Sequence, residues 1–167
     1  AGAEAAGGGT DASDGLGNAV TYCWTVEGQP YPWVVQRARV PNKRATAAVL
    51  NMRGYQTAIQ AAFIAKYGRP ELLTGSIGLE VVVCRLPRGR IPTKVTADWL
   101  ERKALLPPDD ANYLKAVGDA LTGLVFVDDA HVVESRVKKL ISRIPITWVS
   151  VATLPPKRMF WPVEEDI

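Results

Sequence analysis

The chain has 167 residues, a formal net charge of +3 and 47% hydrophobic residues. This length is typical of one domain with a real core, and the composition excludes a chain that is disordered throughout. No apolar run approaches the roughly 20 residues of a membrane helix, so we expect no membrane-spanning segment. Cys23 and Cys84 lie far apart and form no CxxC pair, which disfavours structural zinc and indicates free thiols in a reducing cytoplasm.

The charges are unevenly distributed along the chain. Residues 1–34 hold four acids and no lysine or arginine, whereas residues 35–70 hold seven basic residues and no acid. A polyanionic partner explains such a basic block, although an ordinary solvated surface explains it as well. Residues 1–18 are rich in glycine and alanine and lack the pattern of a secretory signal. We therefore predict a flexible tail over 1–18, one domain over 19–155 and an irregular tail over 156–167.

The first half of the chain predicts strands on both sides of a helix. β-branched and aromatic residues favour a strand over 19–26, and a second strand with interleaved arginines is predicted over 34–40. The apolar stripe of Tyr55, Ile59 and Phe63 predicts a helix over 45–67, ended by Gly68. The unbroken run Val81–Val83 predicts a central strand over 77–86.

The second half predicts helices first and then more strands. A short helix is expected over 96–104 with Thr96 as its N-cap and Trp99 and Leu100 facing inward. The remaining predictions are a helix over 111–121 and strands over 124–129, 131–141 and 146–154. The fold class is α+β, with a mixed sheet of about five strands and two main helices.

Acidic residues gather where the second main helix begins. Asp109 and Asp110 precede the helix, and Lys115 and Asp119 share one of its faces with Ala111. An aspartate here is also a good helix cap, and Lys115 is also placed to pair with Asp119, so both simpler explanations stay open. Crowded carboxylates at neutral pH attract a cation, and their hard oxygen ligands suit Mg²⁺ or Mn²⁺.

A second acidic group, Asp128–Asp129, follows the predicted strand over 124–129. Adjacent aspartates are common in turns, which is the simpler explanation. The alternative is that this pair folds back against the opening turn of the lysine-bearing helix and completes a divalent-ion site. His131 follows the pair, and a turn histidine without a catalytic role is the favoured interpretation there.

The spacing of these residues resembles that of the RusA family of Holliday-junction resolvases. The matching positions are Pro108, Asp109, Asn112, Lys115, Asp119-Ala120-Leu121, Gly123, Asp128-Asp129 and Val132. The resemblance implies a homodimer that binds a four-way DNA junction and cuts it by Mg²⁺-dependent hydrolysis, with Mn²⁺ as a possible substitute. It also implies a bacterial or phage-infected bacterial cytoplasm and no membrane partner.

By the same resemblance, Asp109 and Asp129 are metal ligands and Asp128 is a supporting or alternate one. Lys115 then neutralises charge at the phosphate, and Asn112 and Asp119 support the site. One position departs from the family, because Ala111 stands where a second metal-binding aspartate is expected. An inactivating replacement explains this departure, as does a natural variant that uses Asp110 or a relative that binds junctions without cutting them.

Basic residues in loops and at strand ends are the expected DNA contacts, since phosphates can reach them there. Each also has the plain interpretation of a solvated charge. The expected contacts are Arg37, Arg39, Lys43, Arg44, Arg88, Arg90 and Lys94. Four aromatic residues, Tyr22, Trp24, Tyr31 and Trp33, are candidates for stacking on unpaired bases, although core positions are commoner for such residues.

Overall fold

The computed structural model describes residues 19–34 and 43–155. Its four strands form one sheet in the order β1-β4-β2-β3, in which β2 and β3 are parallel and the other pairs are antiparallel. The predicted α+β class with a mixed sheet is confirmed. The elements are β1 (Thr21–Glu27), α1 (Lys43–Tyr67), β2 (Ile77–Arg85), α2 (Ala97–Ala104), α3 (Asp110–Leu121), β3 (Val132–Ile141) and β4 (Ile146–Thr153), with a 3₁₀ turn over Asp129–His131.

Four strands are present among the described residues, and the strand predicted over 124–129 is wrong. The segment 124–129 forms a tight turn after α3, closed by a hydrogen bond from the Gly123 N–H to the Phe126 carbonyl (2.7 Å). Its apolar residues Leu124, Val125 and Phe126 are buried, so their hydrophobicity serves the core rather than a strand. Most of another predicted strand, residues 35–40, lies outside the described residues, as do the predicted tails over 1–18 and 156–167.

The helices cover one face of the sheet. Strand β2 lies between β4 and β3 as predicted, but its residues alternate between buried and half-buried. Val81 and Val83 point into the core, whereas Val82 lies on the other face. The unbroken apolar run therefore belongs to a central strand that is fully buried on one face only.

Helix α1 forms as its apolar stripe predicts. Tyr55, Ile59 and Phe63 are buried in the core, where each buried side chain of this size contributes about 1.5–3 kcal/mol. Gly68 follows the helix at φ +72°, a left-handed conformation that favours glycine, and its N–H reaches the Ile64 carbonyl (2.8 Å). The hydroxyl of Tyr67 then bonds both backbone groups of Cys23, which fastens the end of α1 to the edge strand β1.

Helix α2 begins at the predicted cap. The Thr96 hydroxyl accepts a hydrogen bond from the Trp99 N–H (3.2 Å). The expectation that Trp99 and Leu100 face inward is wrong: α2 has no buried residue, Trp99 is half-buried and Leu100 is exposed. Across the described residues, no helix is long and apolar enough to span a membrane.

Candidate active site and nucleic-acid interface

Helix α3 begins with an aspartate whose side chain is not used for capping. Asp109 occupies the N-cap position in extended backbone, yet its carboxylate makes no cap hydrogen bond and is exposed. Asp110, the next residue, instead turns its Oδ1 to the Ala111 N–H (3.1 Å). A helix start favours negative charge because unpaired N–H groups point towards it. The Asp109 carboxylate is therefore available to an external cation.

Two basic side chains fix the segment that leads to Asp109. The guanidinium of Arg85, at the end of β2, donates to the carbonyls of Lys103 (2.8 Å) and Leu106 (2.9 Å). Lys139, on β3, donates from Nζ to the Pro108 carbonyl (3.1 Å). Arg85 is only 2% exposed, and charge-assisted hydrogen bonds are stronger than neutral ones in such surroundings. Sequence reasoning did not single out Arg85 or Lys139, because a charged residue inside a strand pattern does not reveal which way it points.

Lys115 lies on the exposed face of α3, together with Ala111 and Asp119. Its ammonium is 3.3 Å from Asp119 Oδ1, which is the simple pairing that the sequence left open. Both side chains are substantially exposed, and such pairs contribute only about 0–1 kcal/mol. The ammonium also lies 5.0 Å from the ring centroid of Trp33. Lys115 is thus oriented by two weak contacts and remains accessible.

The segment that carries Trp33 is attached to the start of α3. The Trp33 N–H donates to the Asn112 carbonyl (2.8 Å), and Tyr31 and Trp33 pack against the core while remaining half-buried. Trp24 is buried in the core, as its strand position favoured. Of the four aromatic candidates for base stacking, Trp33 is therefore the one that touches a predicted catalytic side chain.

Asp128 and Asp129 form the turn before β3. The Asp128 carboxylate accepts from the Ala130 N–H (2.8 Å) and so caps the 3₁₀ turn. This hydrogen bond, helped by Asp129 and the nearby His131, holds the pKa of the Asp128 carboxyl below its ordinary value. His131 bonds the Gly75 carbonyl through Nδ1 (3.0 Å), which fits the turn interpretation. The Asp129 carboxylate stays on the exposed surface of this turn.

The two acidic groups lie at opposite ends of β3. Asp109 directly follows Pro108, whose backbone carbonyl accepts a hydrogen bond from Lys139 near the end of β3. Asp129 instead lies just before Val132, where β3 begins. Seven residues of extended chain separate Val132 from Lys139, which is roughly 23 Å at about 3.3 Å per residue. The described residues contain no group of three or more His, Cys, Asp or Glu side chains placed to hold a metal ion. The expected fold-back of Asp128–Asp129 against the start of α3 therefore does not occur within one chain.

Several of the predicted DNA contacts lie on the surface. Arg88, Arg90 and Lys94 are exposed in the loop that follows β2, and Arg44 is exposed in the first turn of α1. Lys43 begins that helix, and the first turn contains no acid. Arg37 and Arg39 lie outside the described residues. The exposed members can reach a polyanion, and their assignment as DNA contacts stays a prediction.

Comparison with known proteins agrees with the motif. The family model Endodeoxyribonuclease RusA matches residues 27–152, which include α3 and the Asp128–Asp129 turn. A Bacillus subtilis (strain 168) protein described as "Uncharacterized protein YqaN" is 37% identical over 89 residues, covering 50% of this chain. That alignment covers 63% of the relative, so the chain spans less than two thirds of its length. On the strength of the match over 27–152, the chain belongs to the RusA endodeoxyribonuclease family.

Proposed function

We propose that this protein is a structure-selective DNA endonuclease that resolves four-way junctions as a homodimer. The observation that carries the proposal is the family match over 27–152, which includes both acidic groups and the lysine-bearing helix between them. The exposed face of α3 supports it, because it presents a free carboxylate at Asp109 and an accessible ammonium at Lys115. Such groups suit a phosphodiester substrate rather than a neutral one.

A divalent ion, Mg²⁺ or Mn²⁺, is implied by the family, and the residues of one chain do not fit it. Carboxylate ligands must surround the ion within about 2.0–2.1 Å for Mg²⁺. Asp109 and Asp129 lie at opposite ends of β3, and Ala111 offers no oxygen ligand. Asp110 is an imperfect substitute, since it precedes Ala111 by one residue and so points about 100° away from it around the helix. A single chain therefore supplies only part of a metal site.

A second copy of the chain supplies the missing part in our proposal. A two-fold axis across the middle of β3 reverses the strand, so that the Asp109 of each protomer faces the Asp128–Asp129 turn of the other. Both groups are exposed, which leaves them free to meet a partner. Two such composite sites also match the symmetry of a junction, in which two strands are cut.

The other residues of the site act on the phosphate backbone. Lys115 neutralises charge on the reacting phosphate, with Asp119 and Trp33 holding the ammonium in place. The backbone carbonyl of Asn112 accepts a hydrogen bond from the Trp33 N–H and so holds the Trp33 segment against the start of α3. Arg88, Arg90 and Lys94 hold the DNA arms, so affinity falls with salt at a slope set by the number of phosphates neutralised.

One observation favours a second function, binding of junctions without cleavage. Ala111 is exposed beside Asp109, at the position where the family motif has a carboxylate. Removing a negative charge beside a phosphate lowers repulsion while leaving the basic residues in place. A chain with Ala111 can therefore bind junctions and cut them slowly or not at all.

The substitution Ala111→Asp separates these two functions. With Mg²⁺ present, we expect cleavage of a synthetic four-way junction to rise by orders of magnitude, because the groups of such a site act as a unit. Ala111→Asn is the control, since it adds similar volume without a charge. Junction binding without cleavage by the Ala111→Asp protein supports the binding function. Equal affinity for a junction and a linear duplex at the same salt concentration contradicts both proposed functions.

A further inference from the structure

A groove at one end of the sheet is bordered by the predicted DNA contacts of the loop after β2, but its apolar lining has no role in the site described above. It is formed by the loop after β2, the outer side of α2 and the end of β3, and its volume is about 220 Å³. That is smaller than the ~300–1,000 Å³ of pockets for drug-sized ligands, so it suits one flat ring system. Its lining residues include Ile91, Val95, Trp99, Leu100, Ile141 and Arg143.

The walls of this groove are apolar and open to solvent. Ile91 is 47% exposed and Leu100 is 36% exposed. Exposed apolar side chains that cluster around a concavity indicate a binding site. The half-buried indole of Trp99 supplies an aromatic surface, and its ring centroid is 5.6 Å from the Lys103 ammonium. Lys103 also donates to the Arg88 carbonyl (2.8 Å), which ties α2 to the loop after β2.

The rim of the groove is cationic. Arg88, Arg90 and Lys94 lie on the loop after β2, which holds no acid, and Arg143 lies on the loop after β3. Within the described ranges, none of these four forms an ion pair with a carboxylate. The acid on the first turn of α2, Asp98, is already paired with Arg102 at 2.7 Å. The rim thus has free positive charge around an apolar, aromatic floor.

We propose that this groove binds one unstacked base of a DNA strand, with its flanking phosphates on the four rim cations. An aromatic floor with a basic rim is how proteins hold single-stranded nucleic acid, because every base has a face for stacking and every nucleotide has a phosphate. The proposal rests on the proposed function, since a duplex without a branch offers no free base.

The position of the groove relates it to the predicted active site. The Ser142 N–H donates to the Arg85 carbonyl (3.0 Å), and the Arg85 guanidinium binds the Leu106 carbonyl, three residues before Asp109. The groove and Asp109 therefore lie at the same end of the sheet and share one buried arginine. A base held in the groove belongs to a strand that passes close to Asp109.

The test uses a four-way junction with 2-aminopurine, whose fluorescence falls on stacking, placed at the branch point. We expect binding to the protein to change the fluorescence, and Trp99→Leu to abolish that change and weaken junction binding about tenfold. Ile91→Ser, in an exposed loop, serves as a second variant that leaves the fold intact. Leu50→Ser, which alters a leucine on α1 that is more exposed than Ile91, is the control and should change neither quantity.

Two outcomes overturn the proposal. In the first, Trp99→Leu and Ile91→Ser reduce affinity for the junction and for an unbranched duplex equally, or not at all. In the second, they change the sedimentation coefficient of the protein without DNA, which assigns the groove to a contact between copies.

Binding of a 2-aminopurine-labelled single strand is measured in parallel. Loss of that binding in the variants supports the groove even where the wild-type protein shows no preference for junctions, so the two proposals fail separately.

Discussion

The two ends of the parallel strand pair β2–β3 have opposite characters. One end, which we name the Asp109 end, contains the loop after β2, the loop after β3 and the start of α3, and it carries Arg88, Arg90, Lys94 and Arg143. The other, the Asp128 end, contains the turn before β3 and carries two adjacent carboxylates. The Asp109 end suits phosphate, and the Asp128 end suits a cation. In our proposal a second copy brings the two ends together, so that one copy of the chain holds half of each nuclease site.

The largest expected effect comes from mixing two inactive proteins. In the Ala111→Asp background, we expect Asp109→Asn and Asp129→Asn each to abolish junction cleavage as homodimers. Mixed one to one, random pairing yields heterodimers in about half of the dimers, and each has one complete composite site. We therefore expect nicking of one strand to return, measured on a denaturing gel.

The control for this experiment pairs Asp109→Asn with Lys115→Met. Asp109 is the N-cap of α3 and Lys115 lies on that helix, so both contribute to the same half of a site, and a heterodimer of these two variants has a lesion in each of its sites and stays inactive. If the Asp109→Asn and Asp129→Asn mixture is as inactive as its parents, the carboxylates of the two ends do not meet across a dimer.

The next effect concerns stability at the Asp109 end. Arg85→Met removes two charge-assisted hydrogen bonds and leaves the Lys103 and Leu106 carbonyls without that donor. Each hydrogen bond to a charged group contributes about 1.5–3 kcal/mol, and removing a buried charge offsets part of that loss. We therefore expect the free energy of unfolding to fall by about 2–3 kcal/mol. Urea denaturation measures it.

A comparison with Lys139→Met shows whether the burial of the cation determines how much stability is lost at the Asp109 end. Lys139 makes one such hydrogen bond from a half-buried position, so Lys139→Met should lower the free energy of unfolding by less than Arg85→Met does. An Arg85→Met protein as stable as the wild type would show that the buried guanidinium is not what holds the approach to Asp109.

A smaller effect is expected where Trp33 meets Lys115. Trp33→Leu removes a cation–π contact of about 0.5–1 kcal/mol and frees the ammonium to follow Asp119. In the Ala111→Asp background we expect cleavage to fall severalfold in kcat with little change in KM, and Trp33→Phe to retain most of the activity. Trp148→Leu, on the other face of the sheet, is the matched control. Equal losses for Trp33→Leu and Trp148→Leu would indicate a general loss of packing.

Local patterns predicted most of the fold, and long-range pairing decided the rest. The stripe on α1 and the cap at Thr96 depend on neighbours in sequence, and both were predicted correctly. The parallel pairing of β2 with β3 is what places Asp129 far from Asp109, and no local pattern reports it. Arg85 was missed for a similar reason, since its burial depends on α2 and the loop after it. The groove joins three separate segments, and only the folded chain brings them together.

The smallest expected effect is a change in how stability depends on pH at the Asp128 end. The Ala130 N–H lowers the pKa of the Asp128 carboxyl in the folded state, so this group stabilises the fold above its ordinary pKa of 3.8, and that contribution disappears as the pH falls below it. Asn accepts the same hydrogen bond but does not titrate. The wild type should therefore lose slightly more stability between pH 5 and pH 3 than Asp128→Asn does, whereas Asp128→Ala loses the cap at every pH. Urea denaturation of the three proteins at both pH values measures the difference. Identical pH dependence in the wild type and Asp128→Asn would mean that the Asp128 cap does not persist in solution, and the turn that presents Asp129 would then lack its main local support.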